Sequence, residues 1–244
     1  MTKITQAFIF AAGRGERIRP LSDSTPKPLL KIKNKAIIDY AIEKLDQLPD
    51  IKKIIINGFY LADQIESHIK KLKNPKIIFS REVEKVETGG GLVFAKDEID
   101  FDEPLLLING DVLWQDMSFV SDIETITRAW KDCECDILLG LKKVDDYSGY
   151  EGNIHGGGDF DFKAGTLFRF SEIPMSHVFI GVQIINPKIL ERAPEKCFSM
   201  SHFYKSAVGE SGLLHRVKGV EMKGKYFHIG TVEALENAER NVKE

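Results

Sequence analysis

Short apolar segments alternate with segments of helical periodicity through the first half of the chain, and this alternation constrains the fold more than any other feature. Apolar runs bounded by turn residues are typical of buried strands, and apolar residues three or four positions apart are typical of one helix face. Strands joined by helices in this order pair in parallel and carry helices on both faces of the sheet. The pattern therefore predicts an α/β, Rossmann-like three-layer fold with a mostly parallel mixed central sheet. The strand candidates are residues 7–11, 54–57, 76–79 and 104–109, and the helical segments are 37–48, 61–72 and the stretch after 88.

The second half of the chain is less regular. The last residues have the periodicity of a closing helix, with Val232, Leu235 and Val242 on one face. A turn-rich stretch with six glycines, residues 145–165, predicts an insertion over the edge of the sheet. No repeat or low-complexity linker divides the sequence, so we expect a single domain over residues 1–244. The remaining strand candidates are 136–141, 178–185, 217–222 and 226–229.

Composition and charge exclude several classes of partner. The 244 residues are 43% hydrophobic and 29% charged, as in an ordinary globular protein and unlike a disordered or disulfide-built one. Because 34 Lys and Arg stand against 37 Asp and Glu, the formal net charge is -3. No overall positive field favours nucleic acid or an anionic membrane, so neither partner is expected and any phosphate site must be local.

The cysteines and the N-terminus bear on location. Cys133, Cys135 and Cys197 are predicted to form neither a disulfide framework nor a CxxC metal pair. The first apolar run lacks the basic start and cleavage site of a signal peptide, and no apolar stretch reaches the ~20 residues of a membrane span. We expect a cytoplasmic protein. Neither terminal helix carries a strong exposed apolar stripe, which favours a monomer.

The strongest local signal is a glycine-containing loop after the first strand, Ala11-Ala12-Gly13-Arg14-Gly15-Glu16-Arg17. Glycines there let backbone N–H groups approach a phosphate closely. A GxGxxG dinucleotide loop would need a third glycine where Ile18 stands, and no GxxxxGK[ST] loop occurs in the chain. Two glycines alone also fit a tight turn without a ligand.

A preorganised lysine follows that loop, in Pro26-Lys27-Pro28. The two prolines restrict the backbone on both sides of Lys27 and so hold its ammonium to a narrow set of positions. Lys27, Arg14, Arg17 and Arg19 thus form a local cluster of cations that can bind an anion, in a chain of negative net charge. A solvated loop lysine is the alternative.

Asp111 directly follows the fourth strand, where open α/β sheets bind their ligands. A carboxylate at that position suits the hard cation Mg²⁺. An aspartate that only caps a turn or helix is the alternative interpretation.

These motifs together resemble the signature of the sugar-phosphate nucleotidyltransferases, and in particular one branch, the N-acetylmuramate 1-phosphate uridylyltransferases. The resemblance implies transfer of UMP from UTP to N-acetylmuramate 1-phosphate in peptidoglycan recycling, with a UDP-sugar and pyrophosphate as products and Mg²⁺ as cofactor. It also implies a nucleotide-binding part at about 1–115 and a sugar-phosphate-binding part at about 136–231. The matching segments are residues 10–22 (FAAGRGERIRPLS), 26–28, 87–91, 109–112, 157–160 and 230–231.

The resemblance also assigns roles to individual residues. Arg17 would bind the β- and γ-phosphates, Lys27 the α-phosphate and Asp111 the metal. In the sequence alone, Glu82 lies in a charged run that is typical of solvated surface, and Asp159 lies in a turn that needs no function. The implied nucleotide-binding residues are Ala11, Ala12, Gly13, Gly15, Glu16, Glu82, Thr88, Gly89, Gly90 and Asn109, and the implied substrate-binding residues are Gly158, Asp159 and Gly181.

One residue departs from the family pattern. The family usually has a second metal-binding aspartate two residues before the Gly-Thr pair, and this chain has His228 there. A neutral imidazole removes one negative charge and suits softer ions, so Mn²⁺ or Co²⁺ are alternatives to Mg²⁺. A histidine that contacts phosphate and a purely structural histidine are further alternatives.

Two further functions stay open at this point. Another sugar 1-phosphate (glucose, mannose or heptose) or phosphocholine would keep the chemistry and change the acceptor. A sensor that binds a nucleotide sugar without turnover would follow if His228 had abolished catalysis.

Overall fold

The computed structural model describes residues 3–117, 120–147, 158–163, 166–168, 175–194, 196–206 and 213–243. Thirteen strands and six α-helices lie in these ranges, with short 3-10 turns between them. The strands are β1 (Gln6–Phe10), β2 (Lys31–Ile32), β3 (Lys35–Ala36), β4 (Lys53–Gly58), β5 (Ile77–Arg81), β6 (Leu105–Asn109), β7 (Val112–Gln115), β8 (Ile137–Lys143), β9 (Asp161–Lys163), β10 (Thr166–Phe168), β11 (His177–Ile185), β12 (Leu213–Glu221) and β13 (Lys225–His228). The helices are α1 (Ile37–Asp46), α2 (Ala62–Leu72), α3 (Glu87–Phe94), α4 (Asp122–Lys131), α5 (Ser201–Ser206) and α6 (Val232–Asn241).

Nine strands form one central sheet in the order β5-β4-β1-β6-β11-β8-β12-β10-β9. β1 pairs in parallel with both neighbours, so that Ala7 lies opposite Ile54 and Leu106. Within the described strands only β11 and β10 run against the direction of the others. The prediction of an α/β fold with a mostly parallel mixed sheet is confirmed.

The core lies on both faces of this sheet. One face packs against α1, α2 and α4 through residues such as Leu45, Ile65 and Ile126, all fully buried. The other packs against α3 and α5 through residues such as Leu92 and Phe203. Burial of apolar area drives this layering, since each helix has one apolar face to remove from water. The arrangement is the expected three-layer structure.

A small second sheet lies beside the large one. β7 and β13 pair antiparallel, with Val112 opposite His228, and a separate core cluster that includes α6 supports them. The strand predicted at 226–229 therefore exists as β13, but it joins β7, which the sequence did not predict. This pairing places residue 228 directly beside residue 111.

The predicted insertion lies partly within the described residues. Its residues 148–157 and 164–165 are outside them, whereas β9 and β10 extend the large sheet at one edge. None of the helices in the described part of the chain is long and apolar enough to cross a membrane.

The expectation for the cysteines needs a correction. Cys133 and Cys135 form a disulfide with their Cα atoms 5.4 Å apart, and Cys197 is free and exposed. The chain turns after α4, where the Cys133 N–H donates to the Trp130 carbonyl. This turn brings the two Cα atoms within the span that a disulfide bridges.

Candidate active site

A cleft of about 540 Å³ opens at the carboxyl ends of β1, β4 and β6. Open α/β sheets bind ligands at this position, because loops and helix starts converge there. The volume is in the range of small-molecule sites. Its lining consists of residues 10–17, 27, 28, 57, 59, 82, 85–88, 109–111 and 230.

The glycine loop forms one wall of the cleft. Gly15 has φ +63°, a left-handed conformation that glycine adopts without steric cost. Its carbonyl accepts a hydrogen bond of 2.7 Å from Ser22 Oγ, which fixes the turn. A Cβ on Gly13 would meet no atom within 4 Å, so the backbone there faces open space. The loop residues predicted from 11 to 16 all line the cleft.

Lys27, Asp111 and His228 come together at one point of the cleft. Lys27 begins a 3-10 turn after the extended Pro26, and its Nζ lies 2.5 Å from Asp111 Oδ2. His228 Nε2 lies 3.3 Å from the same oxygen, and the Ile229 N–H donates to the Asp111 carbonyl at 2.8 Å. The structure thus unites the lysine, the aspartate and the histidine that the sequence singled out.

Two opposing effects act on the Asp111 carboxyl group. Burial alone would raise its pKa, but the Lys27 ammonium and the hydrogen bond with His228 outweigh burial and hold the pKa well below the ordinary value. Asp111 is therefore ionised at neutral pH and available as a metal ligand.

Arg17 lies close to the chain segment that follows β13. One of its guanidinium nitrogens, Nη2, would lie 3.2 Å from a Cβ built on Gly230, and both residues line the cleft. A side chain at position 230 would therefore crowd the guanidinium. The glycine of the Gly-Thr pair leaves room for Arg17 beside the cleft.

A buried pair of polar side chains forms another part of the wall. Asn57, at the end of β4, accepts from the Ala11 N–H at 2.7 Å and donates to Glu82 Oε1 at 2.6 Å. Burial raises the pKa of Glu82, against a smaller lowering effect of the Asn57 hydrogen bond. Asn57 was not among the residues predicted from the sequence. A polar residue that ends an otherwise apolar strand was the available signal, as it was for Asp111.

The motif at 88–91 forms the first turn of α3. The N–H groups of Gly89 and Gly90 both donate to the Phe198 carbonyl, at 2.8 and 3.0 Å. Backbone donors at the start of a helix take partners from outside it, and the Phe198 carbonyl is that partner here. Thr88 does line the cleft, and its Oγ1 accepts from the Met200 N–H at 2.9 Å.

The residues predicted to bind the sugar phosphate, Gly158, Asp159 and Gly181, are not among those that line the cleft. Asp159 Oδ2 accepts from the Phe179 N–H at 2.9 Å, and Gly158 donates through its N–H to the Met175 carbonyl. Gly181 has φ +78°, and a Cβ there would lie 3.0 Å from the Asn109 side chain. Gly181 thus supports Asn109, which lines the cleft.

The donors for a divalent metal are few but of the right kind. Among the described residues no cluster of three or more His, Cys, Asp or Glu side chains could hold an ion by itself. Asp111 offers one ionised carboxylate and His228 one imidazole nitrogen. The carboxylate suits Mg²⁺, which typically takes one or two carboxylates and completes its shell with water and phosphates, whereas the imidazole also suits softer divalent ions.

Comparison with known proteins identifies the family and agrees with the fold. A family model described as nucleotidyl transferase matches residues 6–244. Relatives include the N-acetylmuramate alpha-1-phosphate uridylyltransferases of Caulobacter vibrioides, 30% identical over 98% of this chain and 97% of that one, and of Neisseria meningitidis serogroup B, 30% identical over 96% of each. The crystal structure of HddC from Yersinia pseudotuberculosis, complexed with GMP-PN, has the same fold, with a TM-score of 0.74 and 23% identity over 98% of this chain and 100% of that one. The chain therefore belongs to the nucleotidyl transferase family.

Proposed function

We propose that the protein transfers UMP from UTP to N-acetylmuramate 1-phosphate, giving UDP-N-acetylmuramate and pyrophosphate. The observation that carries the substrate assignment is the identity of 30% to two N-acetylmuramate alpha-1-phosphate uridylyltransferases over nearly the full length of every chain. The cleft supports the chemistry, because it combines a glycine loop, cationic side chains and an ionised aspartate. With that acceptor the reaction would belong to peptidoglycan recycling in the cytoplasm, carried out by a monomer.

The reaction is a direct in-line displacement in our proposal. An oxygen of the sugar phosphate attacks the α-phosphorus of UTP, a new phosphorus–oxygen bond forms, and the bond to pyrophosphate breaks. Both reactants are anions, so positioning and charge neutralisation supply most of the catalysis. Lys27 would bind the α-phosphate, where charge develops, and Arg17 the β- and γ-phosphates of the leaving group.

The remaining polar groups of the cleft would bind the nucleotide. The open backbone of the loop at 11–16 would bind phosphate and ribose, and Asn109, Glu82 and Thr88 would contact the nucleoside. Gly89 and Gly90 would act indirectly, by holding the start of α3 against Phe198. Residues 1–115 would thus form the nucleotide-binding part of a single domain.

The acceptor would bind in the part of the chain from about 136 to 231. Gly158, Asp159 and Gly181 are the residues we assign to it. Asp159 holds the backbone of β11 through Phe179, and Gly181 packs against Asn109. The second of these contacts joins the acceptor part of the chain to the nucleotide-binding part.

Asp111 and His228 would hold the divalent metal, which we propose to be Mg²⁺. When bound, the ion would neutralise phosphate charge beside the reacting centre. Lys27 is paired with one oxygen of the carboxylate that would hold the ion. Its ammonium would therefore move to the phosphates when the carboxylate binds the metal. The imidazole makes Mn²⁺ and Co²⁺ the alternatives to test.

Pyrophosphate release tests the proposal. Purified protein is incubated with UTP and N-acetylmuramate 1-phosphate, with Mg²⁺, Mn²⁺ or Co²⁺ in turn, and the nucleotide sugar is identified by mass. UDP-N-acetylmuramate formed faster than any other product is the expected result. A panel of glucose, mannose and heptose 1-phosphates, phosphocholine and the other triphosphates runs in parallel.

Pyrophosphate release with a different triphosphate or sugar phosphate would support the nucleotidyl-transfer reaction but contradict the proposed substrates. Nucleotide binding without release under any metal would contradict the enzyme and support a sensor.

A further inference from the structure

Asn57 lies between two groups that together fix which way its amide points. The Ala11 N–H can only donate, so the atom of Asn57 that faces it at 2.7 Å must be the carbonyl oxygen. The amide nitrogen then faces Glu82 Oε1 at 2.6 Å and donates to it. Both neighbours require the same orientation, which removes the usual ambiguity between the two amide atoms. Asn57 therefore presents a fixed donor to Glu82.

The carboxyl group of Glu82 is buried, and only one of its two oxygens has a hydrogen-bond partner among the described residues. Glu82 is 5% exposed and Asn57 2%, yet both line the cleft. Across the described ranges, Asn57 is the hydrogen-bond partner of Oε1, while Oε2 has none and no cation pairs with the group. A carboxylate kept in this setting costs free energy unless another donor binds it. Its free oxygen is an acceptor that awaits a donor from a ligand.

Helix α3 closes the other side of this pair. A Cβ built on Gly91 would lie 2.8 Å from Glu82 Oε1 and 2.9 Å from Asn57 Nδ2. The helix backbone therefore packs directly over the hydrogen bond between the two side chains. Glu82 is also tied to the sheet through its own N–H, which donates to the Gly58 carbonyl at 2.9 Å. Little freedom remains for the carboxylate except toward the cleft.

We propose that Asn57 is a positioning residue for base selection, which holds Glu82 as a fixed acceptor for the ring N–H of the nucleobase. Uracil provides that donor at N3, whereas cytosine has an acceptor there. Because Asn57 also binds the Ala11 N–H, the same side chain fixes the start of the glycine loop relative to the base. This inference rests on the proposed use of UTP.

The test measures equilibrium binding of nucleotide alone, without a sugar phosphate. Wild-type protein is expected to bind UTP about 10–100-fold more tightly than N3-methyl-UTP, the loss that follows from removing a hydrogen bond to a buried charged group. Asn57→Ala and the near-isosteric Glu82→Gln are each expected to lose most of this preference. Asn57→Asp, which keeps an acceptor for Ala11 but removes the donor to Glu82, is expected to lose it too. Asn74→Ala, in the turn before β5, is the matched control and keeps the wild-type ratio.

A purely structural role for Asn57 would lower the affinity for both nucleotides equally and leave their ratio unchanged, which would overturn the inference. Equal binding of both nucleotides by the wild type would overturn it as well. GTP and N1-methyl-GTP form a second pair. Tighter binding of GTP than of UTP would contradict the proposed function. In that case, a lower ratio of GTP to N1-methyl-GTP affinity in Asn57→Ala would still support the positioning role.

Discussion

Lys27 Nζ lies 2.5 Å from Asp111 Oδ2, although the two residues are 84 positions apart in the sequence. The side chains are 13% and 20% exposed, so solvent screens this ion pair less than a surface pair. Each side chain fixes the position of the other just after the carboxyl end of β6. The pair holds a cation and an anion side by side in the cleft, the two charges that we propose bind phosphate and metal.

Lys27→Ala should lower kcat for pyrophosphate release by about 10²–10³-fold, because it removes a preorganised cation where charge develops in the transition state. Steady-state kinetics with the best substrate pair measures the effect. Lys31→Ala, which removes an exposed lysine of β2, should leave kcat unchanged. Near-normal turnover in the Lys27 variant would contradict the role we propose for it.

Asp111→Asn should change how stability responds to acid. The pKa of Asp111 is depressed in the folded protein, so its stabilising effect is full above the unfolded-state pKa of about 3.9 and is lost as pH falls further. Urea unfolding at several pH values from neutral to 3 should show the free-energy difference between wild type and variant shrinking with acid. A difference that does not change with pH would argue against the depressed pKa.

Glu82→Gln should stabilise the protein at neutral pH. Burial raises the pKa of Glu82, so the wild type loses stability as pH rises from the unfolded-state pKa through the folded one. The variant carries no such charge and should have the higher free energy of unfolding at pH 7, with a gap that closes near pH 4. Thermal or urea unfolding across this range provides the measurement, and a variant less stable than wild type at pH 7 would be the contrary result.

His228→Asp should raise Mg²⁺ affinity and the activity supported by Mg²⁺ relative to Mn²⁺, because a second carboxylate suits the harder ion. Titration calorimetry with each metal in the presence of UTP gives the affinities separately from turnover. If His228 contacts only protein or phosphate, the ratio of the two metal affinities will match that of the wild type.

Gly91→Ala should destabilise the protein by about 1–3 kcal/mol, the usual effect of forcing extra atoms into a packed site. Its Cβ would press on Glu82 and Asn57 at once. Gly13→Ala serves as the matched control for stability, since a Cβ there meets no neighbour. Equal melting temperatures for the two variants would show that α3 does not pack over the pair as described.

The sequence predicted those parts of the fold that depend on local periodicity. The strand at 104–109 appears as β6, and the helix with Leu45 on its apolar face appears as α1. Each has enough buried apolar residues in a short span to define its type and its inner face. The parallel pairing of the strands in the first half followed from their alternation with helices.

Features that depend on contacts between distant segments were not predictable in this way. β7 is four residues long and exists by pairing with β13. The Asn57–Glu82 pair requires β4, β5 and α3 to be in place before either residue is distinguishable from a solvated one. The Phe198 carbonyl binds the N–H groups of Gly89 and Gly90, and nothing in the local sequence indicates that contact.

The pairing of β7 with β13 also orders the steps by which the site forms during synthesis. The glycine loop, Lys27 and Asp111 leave the ribosome early, whereas His228 emerges more than a hundred residues after its neighbour Asp111. Until β13 has been made, the backbone groups of the β7 segment lack their strand partner, and unpaired strands promote association with other chains. The nascent chain therefore contains the glycine loop, Lys27 and Asp111 long before His228, and the site is complete only when β13 pairs with β7.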